Sequence, residues 1–295
     1  MRVFVTGASG FVGSAVVREL IGAGHEVVGL VRSDAGAESV SAAGGRPLRG
    51  SLEDLDSLRR GAAESDGVIH TGFIHDFNNF AHSLEVDRGA LDAIGTTLAG
   101  TGKPLVVSSG CAGVPKEGRP LTEEDPTSPS WSRIVSNDTA LSYVERGVRV
   151  SIMRLPIVHG EGDHGFLSTF VAIAREKGVS AYLGDGSNRW PAVHRLDAAR
   201  LFRLACESAP AGTHLHAVAD EGVRFREIAE VVGRHLDVPV RSVPVAAASD
   251  HFGWLGAFAT LDMWTSGVVT QERFGWHPVQ PGLLPDLEKG HYFTD

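Results

Sequence analysis

Gly7, Gly10 and Gly13 recur at intervals of three in Thr6-Gly7-Ala8-Ser9-Gly10-Phe11-Val12-Gly13. They directly follow the run Arg2–Thr6 and open a segment whose apolar residues Val12, Val16, Val17 and Leu20 have helical spacing. Between a strand and a helix, glycines so placed permit a tight turn, a close approach of a pyrophosphate and close helix–strand packing. The helix N-terminus adds free N–H groups and the positive end of its dipole. This arrangement predicts a dinucleotide loop; its plainer reading is a sharp structural turn.

The end of the second strand separates two dinucleotides. A site for NAD places Asp or Glu there, roughly 20 residues after the glycine loop, to hold the ribose 2′-OH. This chain reads Gly29-Leu30-Val31-Arg32-Ser33-Asp34, so the first polar residue is a cation. Arg32 suits a 2′-phosphate and the face of an adenine, and Ser33 supplies a hydroxyl donor. NADP(H) is therefore the expected cofactor ahead of NAD(H). The alternatives are Asp34 folding back onto a ribose and Arg32 as a solvated surface charge.

These residues need a scaffold of strands and helices. Strands are predicted at Arg2–Thr6, Glu26–Val31, Gly67–His70, 104–108 and 147–155, with a long helix around 84–98. Strands alternating with helices of this length indicate βαβ units and a parallel sheet. The expected fold is α/β: a doubly wound parallel Rossmann sheet over residues 1–155, then a smaller α+β substrate lobe over 156–295. In that lobe, helical patterns at Phe166–Lys177, 196–207 and Phe225–Leu236 alternate with short strands near 214–218 and 238–243. Residues 193–218 are expected to pack back on the first domain, since no polar linker separates the halves.

Composition narrows the function classes. The 295 residues are 42% hydrophobic and 21% charged, which excludes a disordered or fibrous chain. The formal charge of -9 argues against nucleic acid as a partner. The start of the chain lacks a signal-peptide pattern, and no run reaches the roughly 18 apolar residues of a membrane span. A cytoplasmic location without membrane contact is the default expectation. Cys111 and Cys206 make neither a disulfide framework nor a metal pair.

Further segments carry a family resemblance. Besides TGASGFVG, they are Gly67-Val68-Ile69-His70-Thr71-Gly72, Val106-Val107-Ser108-Ser109-Gly110, Arg154-Leu155-Pro156-Ile157-Val158-His159-Gly160 and Val193-His194-Arg195-Leu196-Asp197-Ala198-Ala199. With these, nearly the whole chain resembles the short-chain dehydrogenase/reductase superfamily, in its extended and atypical epimerase/dehydratase-like branches. The resemblance implies cofactor contacts at Gly7, Ser9, Gly10, Phe11, Val12 and Gly13, at Arg32 and Ser33, at Ser51 and Leu52, and at Thr71 and Gly72. It also implies nicotinamide contacts near Ser108, Ser109, Pro156 and Val158, a carboxyl-terminal substrate lobe, and a homodimer.

The catalytic pattern departs from that family. Its usual engine is a Tyr with a Lys four residues later, on the helix after the fifth strand. Four residues after Tyr143 and Tyr182 stand Gly147 and Gly186, and the chain ends three residues after Tyr292. In Ser132-Arg133-Ile134-Val135-Ser136-Asn137, Arg133 stands in register with the Tyr and Asn137 with the Lys. An Arg cannot give up its proton near neutral pH, yet it can polarise a carbonyl or stabilise an alkoxide. Asn137 can bond a ribose without supplying the charge of a Lys. Ser109 matches the family's active-site Ser/Thr position, where a hydroxyl orients a substrate oxygen; the plain reading is a strand-end serine in a turn.

The proton then needs another carrier, and histidine suits pH 7. Of 13 histidines, His75 lies just past the fourth strand and His164 in the loop after the sixth, where substrate enters. A solvated loop histidine is the alternative for both, and His194 reads as a cap or lobe contact. His75, Asp76 and His164 lack metal-ligand spacing, so no metal is expected. Trp190, Phe252, Trp254, Phe258 and Trp264 read as lobe core, with some available to line an apolar pocket.

Three functions fit. The leading one is NADPH-dependent reduction of a carbonyl, or an imine, on a small apolar molecule, a ketoreductase with a non-standard proton donor. Ser109 and Arg133 would stabilise the oxyanion, and His75, His164 or a water would supply the proton. The second is epimerisation or dehydration of a sugar nucleotide, for which the distal lobe shows only scattered Arg189, Arg195 and Arg200. The third is a non-catalytic NADP(H) sensor, favoured by the missing Tyr and Lys.

Overall fold

Apolar strands flanked by amphipathic helices alternate through the first 155 residues, and a computed structural model describes residues 1–76, 79–111, 117–129 and 132–294. In chain order these are β1 (Arg2–Thr6), α1 (Phe11–Gly22), β2 (Glu26–Val31), α2 (Asp34–Ala42), β3 (Arg46–Arg49) and α3 (Leu55–Ala63). Next come β4 (Gly67–His70), α4 (Phe80–Leu98), β5 (Pro104–Gly110), α5 (Ile134–Leu141) and β6 (Arg149–Leu155). The second half adds β7 (Ile157–His159), α6 (Phe166–Lys177), β8 (Ser180–Leu183), β9 (Arg189–His194), α7 (Arg195–Ser208) and β10 (Thr213–His216). It continues with β11 (Asp220–Arg224), α8 (Phe225–Leu236), β12 (Val240–Val243) and the short helices α9 (Ala248–Phe252), α10 (Gly256–Ala259), α11 (Val268–Phe274) and α12 (Leu283–Leu287).

The main sheet has seven strands in the order β3-β2-β1-β4-β5-β6-β10, and every neighbouring pair is parallel. Winding outward in both directions from β1 makes the β1–β4 junction a switch point, where a crevice opens at the carboxyl ends of the strands. Register sets functional neighbours side by side. Thr6 pairs with His70, Ser109 with Arg154, and Arg154 with His216.

Period-two alternation divides the strand residues between two cores. Val3, Val5 and Val106 pack with Val16 and Leu20 of α1 and with Leu201 and Phe202 of α7. Phe4, Leu105 and Val107 pack on the other face with Leu58 of α3, Leu91 and Ile94 of α4, and Ala140 of α5. A third core joins Phe170, Trp190, Phe225, Phe252 and Leu283 around a three-stranded sheet (β11-β9-β7) and a two-stranded one (β12-β8). Two elements from beyond residue 155, β10 and α7, thus complete the main sheet and its helical cover.

Several boundaries differ from the periodicity, each for a local reason. The sixth strand starts at Arg149 rather than 147, because Gly147 turns the chain with φ of +75°. The helix expected over 84–98 begins already at Phe80. Strand β3, Arg-Pro-Leu-Arg, has no strong apolar run because it sits at the sheet edge with both arginines exposed.

Candidate functional site

The glycine loop has the geometry that an anion cradle needs. Gly7 adopts φ of +66°, and a Cβ there would lie 2.8 Å from Gly72. A Cβ on Gly13 would come within 2.0 Å of the Gly7 carbonyl, so only glycine lets α1 approach the turn. No side chain caps α1, and its first backbone bond is Ser14 N–H to the Gly10 carbonyl at 2.9 Å. The amides of Phe11, Val12 and Gly13 precede that bond without a helical acceptor, the donors that a diphosphate would satisfy. These residues fit a dinucleotide.

The surrounding cofactor candidates form the walls of the loop. Thr71 Oγ1 donates to the Thr6 carbonyl at 2.7 Å, and the Gly72 amide donates to Thr6 Oγ1 at 3.1 Å. A Cβ on Gly72 would meet Leu52, while Ser51 Oγ accepts from the amides of Glu53 and Asp54. Ser9 lies beside Gly36 of α2. At the end of β2, Ser33 caps α2 by accepting the Gly36 amide at 3.1 Å, and Asp34 is paired with Arg49. Arg32 is exposed and makes no ion pair among the described residues. Pro156 and Val158 are half-buried at the β6–β7 junction.

Beyond β4 and β5 the crevice is floored by buried polar groups. Ser109 is 3% exposed, and its hydroxyl has no hydrogen-bond partner among the described residues. Asn137 is buried on α5 with no side-chain hydrogen bond to a described residue. Arg133, just before α5, donates through Nη2 to Asp87 at 3.3 Å and to the Ser108 carbonyl at 3.0 Å. Its guanidinium lies 4.2 Å over the Phe73 ring. Arg133 is therefore a fixed, already paired cation rather than a free one.

The two loop histidines stand at the rim. His75 is exposed at the surface, with its ring edge-on to Phe73 at 5.2 Å. Loss of hydration, then the charges of Arg133 and His164, move its pKa below the usual histidine value. His164 is 6.0 Å from the Phe11 ring, at the mouth of the glycine loop, and its Nδ1 donates to the Gly162 carbonyl at 3.2 Å. Arg195 ties this loop to α1, donating to the Glu161 carbonyl at 2.8 Å and to Ser14 Oγ at 3.1 Å. His194 accepts the Leu196 amide at 3.3 Å and caps α7.

Two features escaped the sequence reading. His70 and Asp87 meet in a fully buried bond of 3.0 Å. The signal for Asp87 was its place on the stripe Ser83, Asp87, Leu91, Ile94, Leu98, the buried face of α4. Burial raises the pKa of Asp163 in the loop beside His164. Of the aromatic residues expected in the lobe core, Trp190 and Phe252 are buried there and Phe258 and Trp264 are half-buried, but Trp254 is exposed, in edge-to-face contact with Phe166 at 5.5 Å. No group of three His, Cys, Asp or Glu able to hold a metal occurs among the described residues, and no described helix is long and apolar enough to cross a membrane.

Comparison with known proteins places this geometry in a lineage. A Schizosaccharomyces pombe protein described as "Uncharacterized protein C2A9.02" is 49% identical over 99% of this chain and 100% of its own length. A ketoreductase of Stigmatella aurantiaca, acting on a 4-hydroxy-2-methyl-3-oxo-4-farnesyl-3,4-dihydroquinoline-1-oxide, is 26% identical over 86% of this chain and 80% of its own. In fold, the UDP-glucose 4-epimerase of Thermus thermophilus, solved in complex with NAD, superposes with a TM-score of 0.79 over 99% of both chains at 21% identity. Residues 3–218 match the profile of the "NAD dependent epimerase/dehydratase family". With that match and the glycine loop on a doubly wound sheet, the chain belongs to the NAD dependent epimerase/dehydratase family, within the extended short-chain dehydrogenases/reductases.

Proposed function

We propose that the protein is an NADPH-dependent reductase that delivers a hydride to the carbonyl or imine carbon of a small, apolar molecule held against the lobe of residues 156–295. The observation that carries this reading is Ser109: a hydroxyl buried at the carboxyl end of β5 without a partner among the described residues. A buried donor with no acceptor costs about 1–3 kcal/mol, and a substrate oxygen would satisfy it. Bound NADPH supplies the hydride. The chain's own residues place the substrate oxygen, balance its developing charge and bring a proton.

Each residue then has a task set by its surroundings. Ser109 donates to the substrate oxygen. Arg133, with its charge shared with Asp87, contributes a fixed positive field rather than a mobile acid. Asn137 offers an amide to the nicotinamide ribose. His75 and His164, both exposed at the rim, carry the proton from solvent. NADPH is favoured over NADH because Arg32 is free of ion pairs among the described residues while Asp34 is engaged by Arg49.

Oxidation of NADPH and, separately, NADH by the purified protein tests this against aryl ketones, aliphatic ketones, cyclic imines and sugar-nucleotide ketones. The expected result is substrate-dependent turnover preferring NADPH. Ser109→Ala is expected to lower kcat about 100-fold, as loss of an oxyanion donor does. The sensor reading has its own support: Tyr143 is bound to Asp92 and Thr96, and Tyr292 to Gly160, away from the end of β5. Tight NADPH binding with no turnover on any class would overturn the reductase in its favour. Turnover confined to sugar nucleotides would favour an epimerase or dehydratase.

A further inference from the structure

A continuous line of buried polar groups runs beneath the crevice from the glycine loop to the start of α5. The Gly72 amide donates to Thr6 Oγ1 at 3.1 Å, and Thr6 Oγ1 lies 2.9 Å from His70 Nδ1. His70 Nε2 is 3.0 Å from Asp87 Oδ1, and Asp87 Oδ2 accepts from Arg133 at 3.3 Å. Thr6, His70 and Asp87 are all essentially inaccessible to water.

Hydrogen-bond counting assigns the protons. Thr6 Oγ1 accepts from Gly72 and is bonded to His70 Nδ1. An ionised carboxylate only accepts, so His70 donates its Nε2–H to Asp87. Asp87 carries the negative charge, and Arg133 is its cationic partner among the described residues. Burial alone would raise the Asp87 carboxyl, but the His70 bond and the Arg133 charge outweigh it and hold it below the usual range.

An ion pair in such a place needs a reason beyond stability. Taking two charges out of water usually cancels their attraction, so a buried pair is weak evidence that the fold requires it. An apolar residue at 87 would continue the Leu91–Ile94–Leu98 stripe of α4 more cheaply. What Asp87 does visibly is fix a guanidinium that is also held by the Ser108 carbonyl and the Phe73 ring. That guanidinium stands at the carboxyl end of β5, in the half of a doubly wound sheet that takes the second nucleotide of a dinucleotide.

We propose that Asp87 is a positioning residue that acts through Arg133 on the nicotinamide riboside: it holds the guanidinium where the riboside's oxygens accept from it. The proposal rests on the cofactor reading above. The Asp87–Arg133 pair thereby does by a neutralised cation part of what a lysine does in relatives with the Tyr–Lys pattern.

The test compares binding of NADPH, by tryptophan fluorescence quenching, with binding of adenosine 2′,5′-bisphosphate, which lacks the riboside. Asp87→Asn keeps an acceptor for His70, so the Thr6–Gly72 end of the line stays in place while Arg133 loses its counter-charge. The expected outcome is a Kd for NADPH raised about tenfold, with the Kd for the bisphosphate changed less than twofold. Arg133→Gln, altering a side chain nearer the surface, is expected to reproduce that selective loss if Asp87→Asn does not fold. The double variant is expected to bind NADPH no worse than the poorer single variant, as for two residues acting as one. Equal losses for both ligands would make the line a general support of the sheet and overturn the proposal, as would an unchanged NADPH Kd. A wild-type protein that binds neither ligand would overturn the cofactor reading itself.

Discussion

Arg133 is a permanent cation already held by Asp87 and the Ser108 carbonyl, so in the proposed reaction proton supply and charge stabilisation are divided among different residues. The rim histidines are the proton carriers of the proposed reaction, and His75 makes this measurable. Its pKa lies below the usual 6.5, from partial loss of hydration at the rim and then the charges of Arg133 and His164. A general acid works in its protonated form, which for His75 becomes abundant only below pH 6.5. NADPH-dependent reduction is therefore expected to quicken as pH falls from 8 toward 5, with that acid limb flattened in His75→Gln and wild-type NADPH affinity retained. A pH-independent rate in the wild type, or an unchanged limb in the variant, would remove His75 from the proton path.

Elements explain why these residues meet. The turns after β1, β4 and β5 lie at the same end of one parallel sheet, so residues 6, 70–75 and 108–109 converge although they are spread over more than 100 positions of the chain. Helices are anchored by their own caps: Asp54 accepts the Ser57 amide at 3.2 Å at the start of α3, beside the loop that carries Ser51 and Leu52. Removing such a cap costs about 1 kcal/mol. Asp54→Ala is expected to lower unfolding free energy by about that much in urea titration, leaving the denaturant slope unchanged. A loss several times larger would mean that the 51–54 turn, and not only the cap, depends on Asp54.

In the whole molecule, the two halves are joined by a strand exchanged into the first sheet and by a buried polar cluster at its edge. Arg154 of β6 donates to His214 and His216 of β10 at 3.2 Å each and to the Asp125 carbonyl at 3.1 Å. Burial, with the Arg154 charge beside them, lowers both histidines to about 4. They are neutral in the folded protein, while in the unfolded chain they titrate near 6.5. The unfolded state thus binds more protons between those values, so their contribution is full above pH 6.5 and is lost as pH falls toward 4. The melting temperature is expected to drop over that window, and His214→Gln is expected to shallow the drop. A melting temperature flat from pH 7 to 4.5 would contradict the neutral assignment.

How much of this was legible in the chain depends on the range of the interaction concerned. The glycine turn, the alternating elements and the departure at Arg133 and Asn137 are local patterns: spacing of a few residues that backbone geometry and hydrophobic periodicity turn directly into strand, turn and helix. The division near residue 155 is not a clean cut: β10 and α7, in the 193–218 segment expected to pack back, complete the first sheet and its cover, but which strand β10 joins was not written in any local pattern. Ser109 could be named from its motif, but its lack of a partner depends on what surrounds it in space. Arg133 illustrates the limit most clearly. Its sequence position suggested a free cation at an oxyanion, whereas Asp87, 46 residues earlier, and the Ser108 carbonyl already hold it. Partners so far apart in the chain come together only when the sheet assembles, and burial then makes their charges strong enough to decide what each residue can do.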